Sequence, residues 1–126
     1  MDLTPLIPEG RQIVESYGDG KFRVSGALYA QSILIFPERT VAWPVADIRT
    51  LTLESLASVA AAGESGAISL LLIGCGARMA LIPAALRAGL RAKGIVIEPM
   101  DTGAACRTYN VLAAEGRKVA AALVAV

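Results

Sequence analysis

Residues 67–99 hold two apolar runs, AISLLLIG and GIVIEP, with PAALRAGLRAKG between them, and this succession restricts the chain more than any other feature. Pro83 stands where a helix would begin and Gly94 where it would stop, so the segment reads as strand, helix, strand. Both runs carry apolar residues on both faces rather than at alternate positions only, as expected of a central parallel pair covered on two sides. Two parallel strands need a crossover, and the intervening helix supplies it, with right-handed chirality expected. A three-layer α/β arrangement follows.

The rest of the chain fits around that unit. RQIVES, KFRVS, SILIF and TVAW are short β-rich runs separated by Gly18-Asp19-Gly20, Ser25-Gly26 and Pro37-Glu38-Arg39, which predicts an N-terminal antiparallel strand region. A helix is expected from Thr52, capped by its hydroxyl, with Leu51 and Leu56 as a hydrophobic staple and Gly63 as the stop. A final helix is expected from Thr102 or Gly103 to Glu115, capped by Asp101 or Thr102 and ended by Gly116. RKVAAALVAV then reads as a buried last strand. At 126 residues the chain has the length of one domain, spanning 1–126.

Composition excludes several functions. The chain carries 12 basic and 11 acidic residues, a balance that gives nucleic acid no electrostatic footprint. Hydrophobic residues make up 55% of it, yet Arg78 closes the charge-free stretch that begins at Ser65, well short of the ~18 apolar residues needed to span a bilayer. No transmembrane segment is expected, and Met1-Asp2-Leu3-Thr4-Pro5 lacks the basic and apolar regions of a secretory signal. With two cysteines, a reducing compartment is the expectation: the cytoplasm, or the inner face of a membrane. Histidine is absent, which removes Ser-His and Cys-His nucleophile pairs and leaves too few ligands for a zinc tetrahedron. Neither a metal nor a cofactor is expected.

Topology locates a candidate site. If the strands ending at Gly74 and near Pro99 are parallel, the loops GCGAR and MDTGAACR leave the same edge of the sheet, the edge where open α/β sheets bind ligands. A dinucleotide site does not fit there, because the third glycine of G-x-G-x-x-G would fall at Met79 and Pro83 delays the helix. On the last helix Ala105, Thr108, Tyr109, Leu112 and Ala113 share one stripe, expected to face the core, while Arg107, Asn110 and Ala114 share another. A cation at Arg107 opposes the helix dipole, so Asp101, Glu98 or an external anion is expected beside it. Cys75 and Cys106 lie in the two loops, and the dipole and Arg107 would lower the Cys106 pKa; a redox pair competes with two thiols that merely pack, the second being favoured, and no disulfide is expected. Phe22, Tyr29, Phe36 and Trp43 are expected in the core.

GCG after a buried strand, PAALRAGLRAKGI, and above all VIEPMDTGAACRTYNVLAAEGRKVAAAL resemble the domain-of-unknown-function 498 (Mth-type) family, whose mitochondrial members include a respiratory complex I assembly factor. The resemblance implies a compact three-layer α/β domain with a mixed central sheet and no established catalytic residues. It also implies a surface role for Gly74, Gly76, Met100, Asp101, Thr102, Arg107, Tyr109, Asn110 and Arg117. The expected function is that of a non-enzymatic protein-binding or assembly factor, in a bacterial cytoplasmic protein that could lie at the inner membrane. Its partner would be an unidentified protein, such as a membrane-associated complex, and self-association is compatible with the sequence. The alternative is an anion-binding protein or cryptic enzyme using the Gly74–Gly76 and Asp101–Asn110 edge.

Overall fold

A computed structural model describes residues 10–126; the expectation drawn from the first five residues lies outside them. Strands β1 (Val14–Gly18), β2 (Lys21–Val24) and β3 (Ala27–Tyr29) form an antiparallel meander. Its two-residue turns are Asp19-Gly20 and Ser25-Gly26, and all four residues have positive φ, between 45° and 87°. Such turns follow the right-handed twist of paired strands. The third strand was not foreseen from the sequence.

Strands β4 (Ile33–Ile35) and β5 (Thr40–Ala42) make a second hairpin. Two short 3-10 turns, Ile48–Thr50 and Glu54–Leu56, then lead into helix α1 (Ala57–Glu64). Thr52 does cap this segment: its Oγ1 accepts from the Ser55 N–H at 3.1 Å, and Ser55 Oγ accepts from the Thr52 N–H at 3.1 Å. The helix itself starts later than expected, because the first turn is 3-10. It also runs through Gly63 and ends before Gly66, which takes the left-handed conformation with φ +78°. Gly63 serves packing instead, since a Cβ there would lie 2.5 Å from the Ile95 side chain and 2.6 Å from the Lys93 carbonyl oxygen.

The remainder follows the expected order: β6 (Leu70–Gly74), α2 (Ala84–Arg91), β7 (Val96–Met100), α3 (Thr102–Ala114) and β8 (Val119–Leu123). Pro83 precedes α2, and Gly94 and Gly116 close α2 and α3 with φ of +82° and +75°. The five-stranded sheet has the order β5-β4-β8-β6-β7. β7 and β8 both lie parallel to β6, whereas β4 is antiparallel to β8, so the central sheet is mixed. β8, the last strand in the chain, occupies its middle.

Strand alternation sorts the core into two layers. Leu71, Ile73, Ala120 and Ala122 face a cluster built with α1, α2 and the buried Trp43. Leu72, Val119, Ala121 and Leu123 face the opposite cluster, which holds α3 and the inner face of the β1–β3 meander. Ala121, the small residue of β8 on the α3 side, leaves room in that layer, where Tyr109 is fully buried. Phe22, Phe36 and Trp43 are buried as expected, and Tyr29 partly so.

Candidate functional site

The carboxyl edge of the sheet brings together Gly74, Gly76, Met100, Asp101 and Thr102, because β6 and β7 end there side by side. The closeness is tight: a Cβ on Gly74 would lie 3.0 Å from the Leu123 side chain and 3.0 Å from the Thr102 Cα. Hydrogen bonds then tie the segments together. The Cys75 N–H donates to the Met100 carbonyl at 2.8 Å and the Thr102 N–H to the Gly76 carbonyl at 2.9 Å. The Thr102 hydroxyl, fully buried, accepts from the Gly76 N–H at 2.9 Å and donates to the Val124 carbonyl at 2.7 Å. Asp101 Oδ1 caps α3 by accepting from the Ala104 N–H at 2.9 Å.

The other four residues lie elsewhere. Asn110 is buried and not a surface group: its Oδ1 accepts from the Val14 N–H at 3.0 Å and its Nδ2 donates to the Val14 carbonyl at 2.8 Å, which locks α3 to β1. Tyr109 is buried as its stripe required, and its hydroxyl donates to the Phe36 carbonyl at 3.2 Å. Burial raises its pKa. Thr102 likewise belongs to the interior. Arg117 stands at the far end of α3, where its carbonyl accepts from Arg11 Nη1 at 3.2 Å. Asn110 departs from the two-stripe reading because α3 is covered on two sides, by the large sheet and by the meander, so its buried face is wider than one stripe.

Arg107 does not pair with Asp101 or Glu98. The ion pairs among the described residues are Arg49 with Asp47 and Lys93 with Glu64. Arg107, exposed, instead donates from Nη1 to the Tyr17 hydroxyl at 3.0 Å. That hydroxyl rests over Gly103, where a Cβ would lie 2.6 Å from it. Tyr17 was missed by sequence reasoning. The available signal was Gly103 itself, a glycine in the first turn of a helix at a place where no turn requires one.

The cysteines are free and buried, as expected of packing thiols. Cys75 belongs to the layer of α1 and α2 and Cys106 to the layer of α3, so the sheet stands between them. The expectation of a lowered Cys106 pKa is overturned: burial dominates over the nearby Arg107 and pushes the thiol up to about 12. Burial also pushes the Cys75 thiol up.

A family model described as "Protein of unknown function (DUF498/DUF598)" matches residues 14–124. The chain belongs to this family. Among DUF498 relatives, an uncharacterised protein of Rhodobacter capsulatus is 41% identical over 87% of this chain and 82% of its own length. The NADH dehydrogenase [ubiquinone] 1 alpha subcomplex assembly factor 3 of Xenopus tropicalis is 31% identical over 88% of this chain. The match spans 60% of that assembly factor's length. The fold of this DUF498 chain is also that of a Mth938-like domain from Bordetella pertussis, with a TM-score of 0.82 and 31% identity over 98% of this chain and 91% of that one. A Bartonella henselae protein described as an outer membrane protein gives a TM-score of 0.85 and 39% identity over 93% and 97%.

Proposed function

We propose that this protein is a non-enzymatic, protein-binding assembly factor whose carboxyl sheet edge docks a subunit of a membrane-associated complex. The observation that carries the reading is the closure of that edge. Its buried donors and acceptors bond to one another, and two first-turn amides of α3, those of Thr102 and Ala104, are already engaged. Such an edge offers an anion little of what a helix start normally provides. Both thiols are buried and protonated, so neither supplies a nucleophile at neutral pH.

Beside the closed edge, the loop that follows β6 exposes Met79 and Leu81, the latter 89% accessible. Exposed apolar side chains on a loop that leaves this edge suit recognition of a protein face more than of a small polar molecule. The Xenopus tropicalis relative is named as an assembly factor of an NADH dehydrogenase, which makes a subunit of such a complex the partner to test. No helix among the described residues is long and apolar enough to cross a membrane; the position that accompanies this reading is the cytoplasm, peripheral to the inner membrane.

Photocrosslinking tests this directly. A photoreactive amino acid placed at Met79 or Leu81 in native cells should yield an adduct with one subunit of a membrane complex, whereas the same group at Glu115 should not. Adducts absent from both positions, or equal from all three, would overturn the reading. So would normal assembly of the captured complex after deletion of the gene.

A further inference from the structure

A further feature lies at the opposite, amino edge of the sheet, away from the residues that the family likeness singles out at the carboxyl edge. A groove of about 490 Å³ runs there between the β4–β5 turn, the end of α1 and the start of β8. Its apolar wall includes Phe36 and Ile68, both buried, with Ala62 and Ala67 beside them. Three cations line it: Arg11, Arg39 and Lys118, against one carboxylate, Glu38. None of the three forms an ion pair among the described residues. Two are held in place: the Arg39 guanidinium lies over the Phe36 ring, 4.5 Å from its centroid, and Arg11 is oriented by the Arg117 carbonyl.

From this geometry we infer that the amino-edge groove binds an extended acidic peptide segment of a partner protein, its carboxylates on Arg11, Arg39 and Lys118 and an apolar side chain against Ala62 and Ala67. Charge complementarity selects an anionic occupant. Shape selects a chain over a compact anion, because a second concavity of about 290 Å³, lined by Ser58 and Ser65, continues the groove through the shared residues Arg39, Ala62 and Ala67. A bilayer surface would need these cations on an open face, not along a recess between a turn and a helix end. The inference rests on the protein-binding reading and adds to it a second contact and the partner's chemistry.

The probe is a fluorescein-labelled hexapeptide, Glu-Phe-Glu-Asp-Leu-Glu, followed by fluorescence anisotropy with the full chain. Saturable binding is expected, weakening steeply as salt shortens the screening length from about 10 Å at 0.1 M to about 3 Å at 1 M. The neutral counterpart Gln-Phe-Gln-Asn-Leu-Gln should bind at least about fivefold more weakly, and the double variant R39E/K118E should lose about tenfold or more. Both substituted side chains are exposed, so unchanged circular dichroism and urea midpoint are expected for the variant. No saturable binding of the acidic peptide, equal binding of the neutral one, or undiminished binding by R39E/K118E overturns the inference. So does displacement by glutarate at equal concentration, which would make the site one for small dicarboxylates, or sedimentation with phosphatidylglycerol vesicles without peptide binding. Crosslinks from Met79 and Leu81 that persist when peptide binding fails would sink the groove alone. Peptide binding without those crosslinks would sink the carboxyl-edge reading alone.

Discussion

At the carboxyl edge of the five-stranded sheet the backbone groups of three segments bond to one another through Thr102 and Gly76, whereas at the amino edge three cations stand in an open groove with a single carboxylate among them. In the family-like run Met100 to Thr102 lie at the first edge, and the residues after them follow α3 away from it. Thr102 and Gly74 hold strands and helix together there, so a residue pattern shared with relatives can report the joinery of a fold as readily as a site. The second edge has no motif, because its cations come from Arg11, Arg39 and Lys118, far apart in sequence. Substitutions of the buried residues that join the carboxyl edge should therefore cost stability, whereas substitutions of the exposed amino-edge cations should cost binding.

The largest loss is expected from Thr102→Val. It removes the hydroxyl from two buried backbone groups, the Gly76 N–H and the Val124 carbonyl, and should destabilise by about 3 kcal/mol in urea unfolding. A loss below about 1 kcal/mol would break the picture of a hydrogen-bonded closure. Gly74→Ala should cost about 2 kcal/mol, since its Cβ would press on Leu123 and Thr102; a neutral result would mean that the β6–α3 joint yields.

A smaller effect, read by chemistry, concerns Cys106. Its folded pKa of about 12 lies above the ordinary value of 9.0. The linked stability is fully present below pH 9 and is lost as the pH rises toward 12, because the unfolded thiol ionises first. Native protein at pH 8 should accordingly show negligible labelling of Cys106 by a thiol-disulfide reagent, and rapid labelling in urea. Fast native labelling would mean that α3 opens readily. The smallest changes should come from exposed cations. Arg107→Ala is expected to shift stability by less than about 1 kcal/mol, since only a hydrogen bond to Tyr17 is lost. A loss of about 2 kcal/mol or more would make Arg107 a structural brace after all.

Much of the fold was legible because its signals are local. Pro83 and Gly94 bracket α2, Asp101 and Gly116 bracket α3, and the apolar run of β6 declares a strand covered on both faces; β7 was expected to be covered likewise, but it is the edge strand of the sheet and leaves Val96 and Glu98 exposed. The topology of two parallel strands was enough to bring Gly74–Gly76 beside Met100–Thr102. What remained hidden depends on partners distant in the chain. Asn110 looks like a surface residue until β1 is laid across α3, and Arg107 demands a carboxylate until Tyr17 supplies a hydroxyl. Gly63 was read as a helix stop because its packing partner, Ile95, lies far along the chain, just before β7.

The position of β8 bears on how the chain is made. β4 and β6 flank it on either side, yet the ribosome releases both long before β8 emerges. Until then β4 and β6 each lack their partner on that side, and the apolar surfaces that Ala121 and Ala122 later cover remain open. Nascent chains halted before Val119 should thus be caught by chaperones or aggregate, and closure of the sheet must follow synthesis of its middle strand rather than accompany the growth of the chain.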